Sequence, residues 1–246
     1  MTTKIAVLSD IHGNAVALRS VVRDIRREGI QSCIFLGDLI AKGPQPLEVL
    51  ELLYDIRPIQ WILGNTDLWM NRIYSGNSPR IQSIREYQTF IRRWLSPEDI
   101  QLVLQRPENS VIRIGKTSIR CLHGSPRHIA EAITPDMPAA KLHAMLAGVQ
   151  EPVILCGHSH ISCSLKTSLH TILNPGSVGC PYDGNPDASY GIITVEKEAR
   201  TGTLLHFSIK RVSYSREEIL QIARQRNYPF YSTYARLLYC GQKISF

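Results

Sequence analysis

No apolar run in this chain approaches the roughly 20 residues of a membrane-spanning helix, so no segment reads as one. No C-x-x-C pair occurs among the six cysteines, Cys33, Cys121, Cys156, Cys163, Cys180 and Cys240. That removes the usual thiolate metal and redox motifs. Cys33, Cys121 and Cys156 lie inside apolar strand-like runs and read as core; Cys180, beside a glycine turn, reads as the more exposed one. No long Lys/Arg block accompanies the net charge of +7, so charge alone does not make the chain a nucleic-acid binder. Arg72, Arg80, Arg85, Arg92 and Arg93 are spread along one segment as a solvated helix face would have them. There is no repeat and no low-complexity linker.

What is present is a regular alternation. KIAVLS, CIFLG and IQWILG read as buried strands. Between them lie NAVALRSVVRDIRREG, with a stop at Gly29, and PLEVLELLYD, opened by Pro46, both with helical periodicity. Such units predict a parallel sheet covered by helices. Residues 68–107 change character and predict a helical insertion or cap, with Ser96 and Asp99 as a variant capping box. SVIRIGKTSIRCLHG predicts a hairpin turning at Gly115-Lys116. KLHAMLAGV and the serine-capped SREEILQIARQR read as helices, and PVILCG as a strand. The crowded strands of the second half predict a second sheet packed on the first. Residues 228–246 carry no legible motif. We therefore expect one domain over residues 1–246. The first strand runs at once into a candidate site, which leaves no stretch for a signal peptide and predicts a cytoplasmic location.

Five strand ends carry metal-type ligands, each near a glycine: Asp10 and His12, Asp38, Asn65, His123, and His158 with His160. Each has a structural explanation when taken alone, such as Asp10 or Asn14 capping the first helix, or GNTD forming a turn. Separate explanations for all seven are implausible together. Alternate residues of an extended GHSH segment would aim both imidazoles at one site. Oxygen and imidazole donors without thiolate suit manganese first, then iron, zinc, cobalt or nickel.

In order and type, the motifs D-x-H, G-D, G-N-x-D, H and G-H-x-H resemble the calcineurin-like metallophosphoesterases. NPGSVGCPYDG and GDLIAKGPQPLEVL are similar to segments of that family's YfcE-like phosphodiesterase branch. The resemblance spans residues 4–196. It implies a four-layer α/β/β/α sandwich and two divalent ions. Asp10, His12, Asp38 and His160 would hold the first ion, and Asp38, Asn65, His123 and His158 the second, with Asp38 bridging.

It further implies hydrolysis of phosphodiesters or small nucleotide phosphates by a metal-bridging hydroxide. Asp38, Asn65, Thr66 and Asp67 are expected in the chemistry, with Asp67 orienting a neighbour such as Asn65. Asn14, Lys42, Arg127 and His128 are expected at the substrate, with His128 a candidate proton relay. Thr66 departs from the histidine many relatives carry there, and a threonine hydroxyl is no general acid near pH 7. Alternatives are a protein phosphatase, a dinucleoside polyphosphate hydrolase, a nucleic-acid enzyme or a non-catalytic scaffold of the same fold. The expected partner is a small phosphate ester, with nucleic acid less favoured and no membrane.

Overall fold

The computed structural model describes residues 2–70, 82–198 and 202–244. The first sheet is built on β1 (Thr2–Leu8), flanked on one side by β2 (Ser32–Phe35) and β3 (Gln60–Trp61), all parallel. Two helices make the crossovers: α1 (Ala15–Arg27) and α2 (Pro46–Ile56). Asn14 starts α1, its side-chain oxygen accepting from Ala17 N–H. Pro46 occupies the first turn of α2, where its missing N–H costs nothing. After the four-residue helical turn α3 (Asn65–Leu68) come α4 (Gln82–Ile91) and α5 (Pro97–Leu104). Ser96 and Asp99 close α5 with reciprocal hydrogen bonds.

The second sheet has the order β4-β5-β6-β8-β7, from β4 (Asn109–Ile114), β5 (Thr117–Leu122), β6 (Val153–Leu155), β7 (Cys163–Lys166) and β8 (Thr171–Asn174). β4 and β5 form the expected hairpin at Gly115-Lys116. α6 (Ala139–Met145) connects the middle of this sheet. Strand β9 (Ala188–Glu198) runs antiparallel to β1, and β10 (Gly202–Val212) to β9. The late strands therefore do not all join the second sheet, as their crowding predicted. β9 and β10 complete the first one. Edge strands of alternating pattern satisfy either sheet, and only long-range pairing chooses between them.

Period-two alternation in β1 shows how the layers form. Ile5 and Val7 face the second sheet, in a core shared with Ile119, Cys121, Val153, Leu155 and Leu173. Ala6 and Leu8 face the helices, with Leu18 and Val21 of α1. Beyond the second sheet, Leu142 and Met145 of α6 pack on Ile154 and Ile172. The result is helix, sheet, sheet, helix, the four-layer α/β/β/α arrangement expected from the sequence. Phe90, Ile91, Ile100 and Val103 of α4 and α5 share the core cluster beneath the first sheet. Part of the segment 68–107, including Arg72 and Arg80, lies outside the described residues; Arg85, Arg92 and Arg93 are exposed.

The C-terminal segment adds α7 (Arg216–Gln225), capped by Ser215, and α8 (Tyr231–Cys240). Tyr234, Leu237 and Leu238 of α8 are buried in the core beside the first sheet. Sequence reading missed α8 because its apolar positions include polar-tipped tyrosines. No helix among the described residues is long and apolar enough to cross a membrane.

Candidate metal centre

The seven candidate ligands follow the carboxyl ends of β1, β2, β3, β5 and β6, six of them in loops and Asn65 at the start of α3. The loops are stitched together by backbone bonds. Asp10 N–H donates to Gly37 O, His12 N–H to Asp38 O, and Gly157 N–H to His123 O. Asp10, His12, Asp38, His158 and His160 all adopt positive φ, between 50° and 66°. Such backbone costs about 1–3 kcal/mol per residue and is held only where surroundings over-determine it. It also corrects the extended-segment argument for GHSH. His158 and His160 sit in a tight turn, closed by Ser159 N–H donating to Gly157 O, and their rings serve different halves of the site.

The donors fall into overlapping groups, one of them His12, His160 and Cys180. Donor atoms of Asp10, His12, Asp38 and His160 lie within 4.8 Å of one another, as do those of Asp38, His123 and His158. Asp38 belongs to both. Its Oδ2 is 3.5 Å from His12 Nε2 and 3.4 Å from His123 Nε2. Asn65 Oδ1 stands 3.1 Å from His123 Nε2, which puts it with the second group.

Three imidazoles are fixed from behind. His12 Nδ1 lies 2.8 Å from Ile40 O, His123 Nδ1 2.7 Å from Leu36 O, and His160 Nδ1 2.6 Å from Cys180 O. A carbonyl only accepts, so each Nδ1 carries a proton and each Nε2 points inward. The Nε2 atoms of His12 and His160 are 3.0 Å apart, lone pair against lone pair. Asp10 Oδ2 accepts from Ser9 Oγ and His158 N–H, whereas among the described residues buried Asp10 Oδ1 accepts no hydrogen bond, with His160 Nε2 3.2 Å away. The Lys42 ammonium reaches into this spot, 3.1 Å from His12 Nε2 and 3.3 Å from His160 Nε2. A buried carboxylate oxygen, converging lone pairs and a cation drawn among them fit a metal site.

Electrostatics agree. Burial alone would raise the Asp10 carboxyl, but His160 and His12 hold it well below the usual carboxylate range. Burial pulls the His123 imidazole down, but the Asp38 and Asp10 carboxylates outweigh this and raise its pKa to about 9. His158 is pushed down to about 4, by burial and then by neighbouring His123. The sign for His123 is clear. Metal-free protein keeps its proton up to about pH 9, whereas a metal needs Nε2 bare. Metal loading at pH 7 should thus release a proton, and affinity should climb roughly tenfold per pH unit toward pH 9. Calorimetry in two buffers of different ionisation heat measures this. A flat affinity with no proton release would refute it.

Asp67 accepts from the N–H groups of Asp38, Leu39 and Gly64, at 2.9 Å each. It thereby braces the Asp38 loop against the start of α3, rather than holding the Asn65 side chain. Burial raises its carboxyl to about 7, the Asp38 charge adds to the rise, and the N–H groups of Gly64 and Leu39 oppose it. Thr66 N–H donates to Asp38 Oδ1 and its hydroxyl to Ile40 O.

The other expected substrate contacts separate. Lys42, Asn65 and Thr66 line a cavity of 680 Å³ against the ligands. Asn14 is fully buried, with Oδ1 on Ala17 N–H and Nδ2 on Gly179 O, so its amide serves the fold. Arg127 pairs with Glu131, and His128 Nδ1 accepts from Ala130 N–H. Both line a different groove, bordered by His123. Cys180 is buried, not exposed, and its carbonyl orients His160. Sequence reading also missed Tyr182, stacked on the His160 ring at 4.2 Å.

Fold and site together define a four-layer α/β/β/α protein with a buried cluster of Asp and His donors suited to metal. The calcineurin-like phosphoesterase superfamily domain matches residues 3–198, and the chain belongs to that superfamily. A metallophosphoesterase from Sphaerobacter thermophilus is similar, with TM-score 0.75 and 26% identity, covering 97% of this chain and 99% of that one. The YfcE phosphoesterase of E. coli shares the fold, with TM-score 0.51 and 21% identity, covering 86% of this chain and 100% of that one. An uncharacterized protein of Methanocaldococcus jannaschii is 28% identical over 209 residues, 76% of this chain and 81% of its own length. A symmetrical bis(5'-nucleosyl)-tetraphosphatase of Pectobacterium carotovorum is 32% identical over 74 residues, 29% of this chain and 26% of its own length.

Proposed function

We propose that this chain is a dinuclear metal-dependent phosphoesterase acting on phosphodiesters or small nucleotide phosphates. The observation that carries the reading is Asp38 Oδ2 lying between His12 and His123, shared by two donor groups. Asp10, His12, Asp38 and His160 would hold one ion, and Asp38, Asn65, His123 and His158 the other, with manganese the first choice. When bound, such ions activate water and offset charge gathering on phosphoryl oxygens. The chain's own residues do the rest. Asp67 keeps the Asp38 loop in place, the carbonyls behind the imidazoles keep their lone pairs inward, and Lys42 meets the phosphate once a metal takes its place.

Departure of the leaving group receives little help. The Thr66 hydroxyl is spent on Ile40 O, and His128 lies outside the cavity. General acid assistance is typically worth ~10²–10⁴-fold. Aryl diesters should accordingly be cleaved faster than alkyl esters by a factor in that range. A series of esters graded by leaving-group acidity, assayed with manganese-loaded protein, tests both points. Absence of turnover on any ester would sink the phosphoesterase reading, and equal rates along the series would sink the missing-acid reading. A non-catalytic scaffold would instead bind negligible metal, which the ordered donor set does not favour.

A further inference from the structure

The cavity over the donor set holds 680 Å³, room for far more than a phosphate group. Asp38, Asn65, His158 and His160 form its floor. Its remaining lining includes the aromatic rings of Trp69, Tyr87, Tyr182, Tyr228 and Phe230, brought from distant elements. Trp69, 42% exposed, follows α3, and Tyr182 lies against His160. Tyr228 and Phe230 stand between α7 and α8, and Lys243 and Ile244 follow α8. These last four lie beyond residues 3–198, the extent of the superfamily domain.

Water gains little from such a wall, whereas a planar ring stacks on it. Tyr228 is buried edge-on against the rings of Tyr87, Phe90 and Phe230 and backs this wall. Charge points the same way. Asp38 is the one carboxylate lining the cavity among the described residues, and it belongs to the donor set, while Lys42 and Lys243 are both cationic.

We propose that the C-terminal segment builds a specificity pocket for a phosphate ester carrying a nucleobase-sized planar ring. Phe230 and Trp69 take the ring, with Tyr228 packed behind Phe230, and Lys243 meets a second anionic group on the same molecule. This rests on the phosphoesterase reading and narrows its substrate class.

Metal-loaded protein can be titrated calorimetrically with inorganic phosphate and with non-hydrolysable phosphonate analogues of AMP and of ribose 5-phosphate. The AMP analogue should bind about tenfold more tightly than the ribose analogue, the gain expected of one stacked base. Phe230→Ala should erase most of that difference and leave phosphate affinity unchanged. Phe230→Leu keeps apolar bulk but removes the ring, and serves if the alanine variant does not fold. The α,β-methylene analogue of ADP should bind several-fold more tightly than the AMP analogue, and Lys243→Ala should abolish this preference.

Equal wild-type affinity for the AMP and ribose analogues would overturn the pocket. So would a preference that Phe230→Leu leaves intact. Failure of wild-type protein to bind phosphate at all would instead mark failure of the phosphoesterase reading. A phenyl phosphonate bound as tightly as the AMP analogue would overturn nucleobase recognition in favour of a general aryl site.

Discussion

Asp38→Asn should leave a folded protein that binds less than one metal per chain and turns over about 10³–10⁴-fold more slowly, the several kcal/mol that metal charge contributes. The substitution keeps the shape and the Oδ1 acceptor for Thr66 N–H. What it removes is the charged Oδ2 that faces His12 and His123 together. Asp38 is the donor shared by the two carboxylate-containing groups, so its loss weakens both. A second readout follows from the raised pKa of His123, which depends on the Asp38 carboxylate ahead of Asp10. In metal-free Asp38→Asn that pKa should fall back toward the ordinary histidine range, as followed by NMR titration. Elemental analysis, circular dichroism and steady-state kinetics complete the test. Full metal occupancy with near wild-type turnover would show that Asp38 is not shared.

Gly64→Ala should damage the site although it removes no donor. A Cβ at this position would lie 2.1 Å from Asp38 Oδ1 and 2.2 Å from Asp38 N. No side-chain rotation relieves a clash with backbone, so the Asp38 loop must move. Overpacking of this kind costs about 1–3 kcal/mol, and a displacement near 1 Å costs about 10²-fold in rate. The expected result is a melting temperature lower by several degrees and a kcat about 10²-fold lower, with metal affinity reduced. Unchanged kcat would mean that the loop has slack and that its fit does not position Asp38. Gly157 has the same role toward the first motif, since its Cβ would meet Ser9 Oγ at 2.0 Å and Asp10 Oδ2 at 2.8 Å.

These glycines show how the site was legible in part. In the sequence they read as turn signals beside each ligand, which is true of the motif but not the reason for the residue. The reason is a carboxylate from another strand crossing at that spot. A similar limit applies to GHSH. Its two histidines were recognisable as a pair of ligands, yet the alternation argument assumed extended backbone, and both sit at positive φ. Local pattern cannot report a conformation that neighbouring loops enforce. Asn14 was legible as a helix cap from its position before an apolar helix, and the structure gives both its amide atoms to the fold. The aromatic wall was not legible at all. Tyr182, Tyr228 and Phe230 obey no periodicity, and the chain brings them beside the ligands only after α7 and α8 pack on the first sheet.

The amino-acid sequence by itself determined which donors are available, in what order they follow their strands, and that a layered α/β fold would carry them. Those properties are local, since strand runs, caps and ligand identities are written within a few residues of one another. Only the tertiary structure decided that Asp10 Oδ1 accepts no hydrogen bond among the described residues, that three imidazoles turn their Nε2 atoms inward, and that Asp38 joins two donor groups. Contacts such as His12 with His160, 148 positions apart, exist only when two sheets are packed with their strand ends together. Such closeness is a property of the packed core, and no short stretch of chain contains it.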